Sequence, residues 1–179
     1  MPKIIKDAKK IIVSHARALL VENGAAKLNM RLLAESAGIA AGTLYNYFPS
    51  KEDLIIEVVR EDWDLVLSNV EKKLPTVTSA IMGLELIFNA ISQYMEDRRL
   101  LWDTIRASKK FQEKHIQYHK EMIEQISDRV RMLGTRFGFL SDPTVAPFIS
   151  EVLLTGGVHP GGKFCYLAPC LRILVGEKN

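Results

Sequence analysis

A chain of 179 residues, 47% hydrophobic and 25% charged, has the balance of a soluble globular protein and length for one or two domains with real cores. No apolar run reaches the roughly 18 residues of a membrane span, and no apolar signal core follows Met1-Pro2-Lys3-Ile4-Ile5-Lys6-Asp7, so a cytoplasmic protein is expected. The net charge of +3 is uneven: residues 1–51 carry eight Lys or Arg against three Asp or Glu, and the remainder sixteen against eighteen, which sets the positive charge at the N-terminal end, where a polyanion would fit.

Residues 4–22 read as one helix, because Ile5, Ala8, Ile12, Ala16 and Leu19 recur at helical spacing and Gly24 follows. His15 lies beside this stripe as a packed or surface histidine rather than a ligand. Lys3, Lys6, Lys9 and Lys10 project from its start, within reach of phosphate, although solvated ends are the default for terminal residues. Asn29 is a good N-cap for a short second helix, Met30 to Ala37, with Arg31 in its first turn and Leu33, Ala34 and Ala37 on one face. Gly38 suits the positive φ of a helix C-terminus, and Ile39 can plug the corner. A third helix over Ala41–Tyr47 turns Leu44 and Phe48 inward. Two short helices around a glycine turn make a helix-turn-helix, whose second helix enters the DNA major groove. By position, Ala41, Thr43, Asn46 and Tyr47 face that groove and Tyr45 lies close to the backbone. Asn can pair bidentately with adenine, a Thr methyl can touch a thymine methyl, and tyrosine hydroxyls can reach phosphates.

The run Leu33-Ala34-x-x-Ala37-Gly38-Ile39-x-x-Gly42-Thr43-Leu44-Tyr45-x-Tyr47-Phe48-x-Ser50-Lys51-x-x-Leu54 closely resembles the DNA-binding domain of TetR-type bacterial repressors. The resemblance extends from about Ile5 to about Val59, the first third of the chain. It implies that Asn29 and Arg31 meet a phosphate or base edge, and that Lys51 meets a phosphate. One departure is Ala40, where the family often has Ser or Thr, so the third helix lacks a hydroxyl cap and one polar contact near DNA.

Ser50-Lys51-Glu52-Asp53 reads as a capping box opening a fourth helix behind Pro49. It puts Lys51 in a first turn whose orphan amides attract anions. That helix runs to about Lys73 with Leu54, Val58, Val59, Trp63, Leu65, Val66 and Val70 as a wide apolar face, and Pro75 stops it. No flexible linker separates it from the head, so it could carry a displacement rigidly. Everything beyond still reads helical. Ile81, Leu84, Ile87, Phe88, Ile91, Tyr94 and Met95 form one stripe, and Leu100, Leu101, Trp102 and Ile105 the next. Residues 111–133 turn Phe111, His115, Tyr118, Met122, Ile126, Val130 and Leu133 inward before Gly134 and Gly138. Asp142-Pro143 begins a helix holding Val145, Phe148, Ile149, Val152 and Leu153, and the last, Phe164 to Val175, holds Phe164, Leu167, Leu171 and Leu174. Cys165 and Cys170 are expected as free thiols in a packed helix.

The fold class is therefore all-α: an N-terminal three-helix head over residues 1–50, joined by the long fourth helix to a C-terminal helical bundle over 51–179. Trp63, Phe88, Tyr94, Met95, Trp102, Phe111, Tyr118 and Met122 are the residue types that line an apolar pocket, and equally those of any helical core. The family resemblance favours a pocket, because it implies an inducer site there. His115 and His119 share a helix face, half of a zinc site, but no third ligand stands at useful spacing. Gly157 to Lys163 fits the Gly-x4-Gly-Lys part of a phosphate loop, yet Phe164 replaces the Ser or Thr that would hold magnesium, and only 15 residues follow. A glycine-rich loop between two helices is the simpler reading. No cofactor, catalytic constellation or metal site is called for.

One head buries too little DNA for specific binding at physiological salt. A homodimer on a palindromic double-stranded operator is expected, paired through helices at about 143–157 and 163–175. The resemblance implies a transcriptional repressor released by a small apolar or aromatic effector. Two rivals are an architectural or division-control protein on the same fold without inducer, and an enzyme in the C-terminal domain.

Overall fold

The computed structural model describes residues 7–140 and 142–177. Among these residues there is no strand. Nine α-helices follow in order: α1 (Ala8–Lys27), α2 (Met30–Ser36), α3 (Ala41–Tyr47), α4 (Lys51–Lys73), α5 (Ala80–Asp97), α6 (Arg99–Arg106), α7 (Lys109–Phe137), α8 (Val145–Val158) and α9 (Phe164–Val175), with a single 3-10 turn at Leu74–Thr76 after α4. Lys3, Ile5 and Lys6 lie outside the described residues. None of the described helices is long and apolar enough to cross a membrane.

The chain divides into two compact units, 1–62 with 98–113, and 63–97 with 114–179. The division falls within α4, so the boundary expected at residue 50 lies inside the first unit. That unit is built around Ile12, Val13 and Ala16 of α1, Leu33 of α2, Leu44 of α3 and Leu54, Ile55, Val58 and Val59 of α4, all buried. α6 packs on α1 in the same unit, adding Leu101, Trp102 and Ile105. Gly24 (φ 73°, ψ 168°) breaks the helical path of α1 where expected, but a further turn follows to Lys27.

In the second unit α5 is the central helix, packed by α8 and α9. Its stripe Ile81, Leu84, Ile87, Phe88, Ile91 and Tyr94 is buried as expected. The close approach of α8 depends on two glycines. A Cβ on Gly157 would meet Ile91 Cγ2 at 2.7 Å, and one on Gly156 would meet Leu167 Cδ1 at 2.8 Å. Gly157 is thus a packing residue within α8, and only residues 159–163 form the connection to α9. The Glu177 carboxylate accepts from the first amides of α5, Ala80 N–H at 2.6 Å and Ile81 N–H at 3.2 Å, a cap supplied from the far end of the chain.

Several residues expected inside are outside. Leu65 is 59% exposed, because Trp63, Leu67 and Val70 take the inward face of α4 and Leu65 lies two positions off it. Leu100 and Phe148 are exposed, since buried Leu101 and Ile149 occupy the adjacent inward positions, and Leu174 lies beside buried Val175. On α7 only Ile126, Val130 and Leu133 of the expected set are buried, while His115 is exposed and Phe111, Tyr118 and Met122 are half-buried. Cys165 and Cys170 are free thiols, but both are exposed.

Candidate nucleic-acid interface

The corner between α2 and α3 follows from a few backbone rules. Asn29 Oδ1 accepts from Arg31 N–H at 2.8 Å and from Leu32 N–H at 3.3 Å, satisfying two orphan amides of α2. At the other end Gly38 takes φ 66°. Its N–H reaches Glu35 O at 3.1 Å, and Ile39 N–H reaches Ala34 O at 2.9 Å. This pair of bonds is the Schellman termination, and both Ile39 and Ala34 are buried. A side chain at Gly38 would be strained, so the glycine fixes the exit direction of the chain. Ala40 precedes α3 without a side-chain cap.

That geometry sorts the residues of α3. Leu44 and Phe48 are buried. Ala41, Asn46, Tyr45 and Tyr47 are exposed and Thr43 is half-buried, so neither tyrosine is a core residue. Arg31 stands exposed on α2. Lys51, in the first turn of α4, donates from Nζ to Ala26 O at 3.3 Å. The capping box forms, with Ser50 Oγ accepting from Asp53 N–H at 3.2 Å and donating to Asp53 Oδ2 at 2.7 Å. Lys110 of α7 pairs with Asp53 Oδ1. Burial pushes the Asp53 carboxyl up, but bonds from Lys110 and Ser50 outweigh it and hold it below the ordinary carboxylate range.

Behind this surface lies a buried ionic cluster. Asp62 of α4 is 6% exposed. Its Oδ1 accepts from Arg17 Nε of α1 at 2.6 Å, and its Oδ2 from Arg98 Nε, just before α6, at 2.7 Å. Arg17 also donates to Glu61 Oε2 at 2.9 Å. Burial lowers the Arg17 guanidinium pKa, and the two carboxylates more than reverse it. Lys9 pairs with Glu57. Periodicity gives no sign of these pairings, which join residues 36 to 48 positions apart.

Of the eight residues expected around an effector, Trp102 and Phe111 lie in the first unit and the other six in the second. Trp102 and Phe111 pair edge-to-face at 6.0 Å between centroids, in the first unit. In the second, Trp63 stacks tilted on Tyr94 at 5.3 Å, and its indole N–H donates to Gln125 Oε1 at 2.7 Å. Phe88 packs on Phe164 at 5.6 Å. Met95, Tyr118 and Met122 are half-buried. An open apolar pocket of about 340 Å³ in the second unit is lined instead by Leu74, Pro75, Met132, Leu133 and Arg136. His119 Nε2 lies 2.9 Å from Glu151 Oε2, and among the described residues no group of three ligands could hold a metal.

Residues 12–58, the segment holding this corner, match the family model for bacterial regulatory proteins of the tetR family. The chain is 28% identical to the HTH-type transcriptional repressor KstR of Rhodococcus jostii over 155 residues, 84% of this chain and 71% of that one. It is 34% identical to KstR2 of Mycolicibacterium smegmatis over 83 residues, 46% of this chain and 40% of the relative. The fold is shared with Thermus thermophilus FadR, a TetR-family repressor in complex with lauroyl-CoA, at TM-score 0.66 and 15% identity over 93% of each chain. These relatives are regulators rather than enzymes. The Schellman corner, the exposed third helix and the start of the capped fourth helix thus all lie within the segment, residues 12–58, that carries the tetR-family helix-turn-helix.

Proposed function

We propose that this regulator is a cytoplasmic repressor that binds a palindromic operator as a homodimer and is released by a small apolar or aromatic effector. The observation that carries the DNA reading is α3 itself: its apolar side is spent on Leu44, leaving Ala41, Asn46, Tyr45 and Tyr47 exposed on a helix whose entry angle Gly38 fixes. Asn46 and Thr43 read base edges, Ala41 and Tyr47 pack in the groove, and Asn29, Arg31, Tyr45 and Lys51 hold phosphates. Residues 1–50 are the DNA-binding part and 51–179 bind effector and partner.

Dimerisation is supported by the outer side of α8 and α9. Phe148, Tyr166, Ile173 and Leu174 are 57%, 69%, 81% and 39% exposed, large apolar side chains of the kind that a partner surface covers. Two heads related by a two-fold axis would read half-sites about 34–36 Å apart, or a multiple. The effector reading is supported by the relative seen with lauroyl-CoA, which carries a long apolar chain, and by the aromatic and methionine side chains of the second unit. An effector acts only through its different affinity for the DNA-competent and incompetent states.

The test is selection of binding sites from random duplex DNA by the purified protein. An enriched inverted repeat is expected, and it then serves as the probe for effectors. Absence of any enriched sequence from a folded protein overturns the sequence-specific reading. An enriched repeat whose binding no apolar ligand changes overturns the effector reading alone.

A further inference from the structure

Residues 98–113 lie far from the helix-turn-helix in sequence but belong to the same compact unit. Arg98 anchors their start to Asp62, and Lys110 anchors their end to Asp53. The second anchor has an electrostatic consequence. Asp53 is two residues from Lys51, in the first turn of α4. One carboxylate oxygen accepts from Ser50, the other faces Lys110. The Asp53 side chain is 20% exposed and that of Lys110 45%, so both charges lie at the solvent edge of the unit, two residues along α4 from Lys51. Asp53 is held in its ionised form by these bonds, and with Lys110 gone it would still carry its charge at neutral pH.

We propose that Lys110 is a positioning residue for DNA binding: its ammonium neutralises Asp53 beside Lys51, keeping the start of α4 electropositive toward the phosphate backbone. This rests on the reading of the first unit as DNA-binding. Lys110 does not touch DNA itself. It cancels a charge that the capping box requires but that a polyanion opposes. An uncancelled carboxylate about 8 Å from a phosphate weakens binding about twofold in a water-like dielectric, and several-fold more where the interface excludes water.

The experiment compares the full-length protein with Lys110→Ala, Lys110→Arg, Asp53→Asn and the Asp53→Asn/Lys110→Ala double variant. Each is titrated onto a labelled random-sequence duplex at low and high salt, with thermal melting in parallel. Lys110→Ala is expected to bind about three- to tenfold more weakly at low salt, with the gap closing at high salt. Lys110→Arg should bind like wild type. The double variant should recover to within about twofold, because no carboxylate is left to cancel. A merely structural role would lower the melting temperature without that recovery. Wild-type affinity in Lys110→Ala at low salt overturns the proposal, as does a double variant as weak as Lys110→Ala. A wild-type protein that binds no duplex overturns the DNA-binding reading as well, a result separable from either.

Discussion

The buried Asp62 carboxylate is a single position on which the packing of the first unit turns. It accepts from Arg17 of α1 and Arg98 ahead of α6, so one side chain ties three segments together. Asp62→Ala removes both acceptors and leaves two guanidiniums facing a void. A hydrogen bond to a charged group contributes about 1.5–3 kcal/mol, and stripping one partner from a fully buried pair costs about 3–5 kcal/mol. The Arg17 and Arg98 side chains are 34% and 26% exposed, so water recovers part of their solvation, and Arg17 keeps Glu61. The net cost is therefore about 2–3 kcal/mol, which for a chain of this length lowers the melting temperature by about 4–12 °C. Asp62→Asn should fall between, since it keeps the shape and loses the charge. Urea unfolding of Asp62→Ala, Arg98→Ala and the double variant measures the coupling, which should be about 1 kcal/mol or more. A melt of Asp62→Ala within a degree of wild type, or strictly additive single variants, would refute the claim that this cluster holds the unit together.

Three further outcomes follow from the same surface. Lys51→Ala should weaken binding alike on all duplexes and flatten the salt slope by about one unit, and an unchanged slope removes Lys51 from the backbone contacts. Asn46→Ala should instead cost about 1–3 kcal/mol at one or two positions of the selected site, whereas equal losses on specific and random DNA would end its assignment as a base reader. Asp53 has a folded pKa below its ordinary 3.8, so its contribution is present above about pH 4 and is lost as pH falls through the folded value. Urea midpoints of wild type and Asp53→Asn should thus differ near pH 6 and converge once the pH has fallen below the folded value, and a gap that persists in strong acid contradicts the ion pair with Lys110.

The helix-turn-helix was legible because its determinants are local. A cap acts two or three residues away, a Schellman turn spans six, and both leave residue types that can be read directly: Asn29, Gly38, Ser50 and Asp53 do what their positions imply. The limits of α3 and α9 matched for the same reason, since each starts at an apolar stripe and stops at a breaker. Gly24 shows the limit of that logic. It breaks α1 as any glycine with positive φ does, but the extra turn to Lys27 depends on what the chain meets next.

What periodicity missed has a single cause: it reports a helix face and not what lies opposite it. Apolar spacing points Leu65, Leu100 and Phe148 inward because each sits among apolar neighbours, yet a helix has only one inward arc, and Leu67, Leu101 and Ile149 fill it. The charged pairs are invisible for the same reason, since Arg17, Asp62 and Arg98 become neighbours only after three helices have packed. Lys110 is the instructive case. In the sequence it stands just ahead of the helix expected over residues 111–133, with nothing to connect it to DNA. Packing brings it to Asp53, so a residue of α7 takes part in the electrostatics of a corner that begins 81 positions earlier at Asn29. The field at a recognition surface is a property of the assembled unit, and the local motif specifies only the part of it that lies within reach of its own turns.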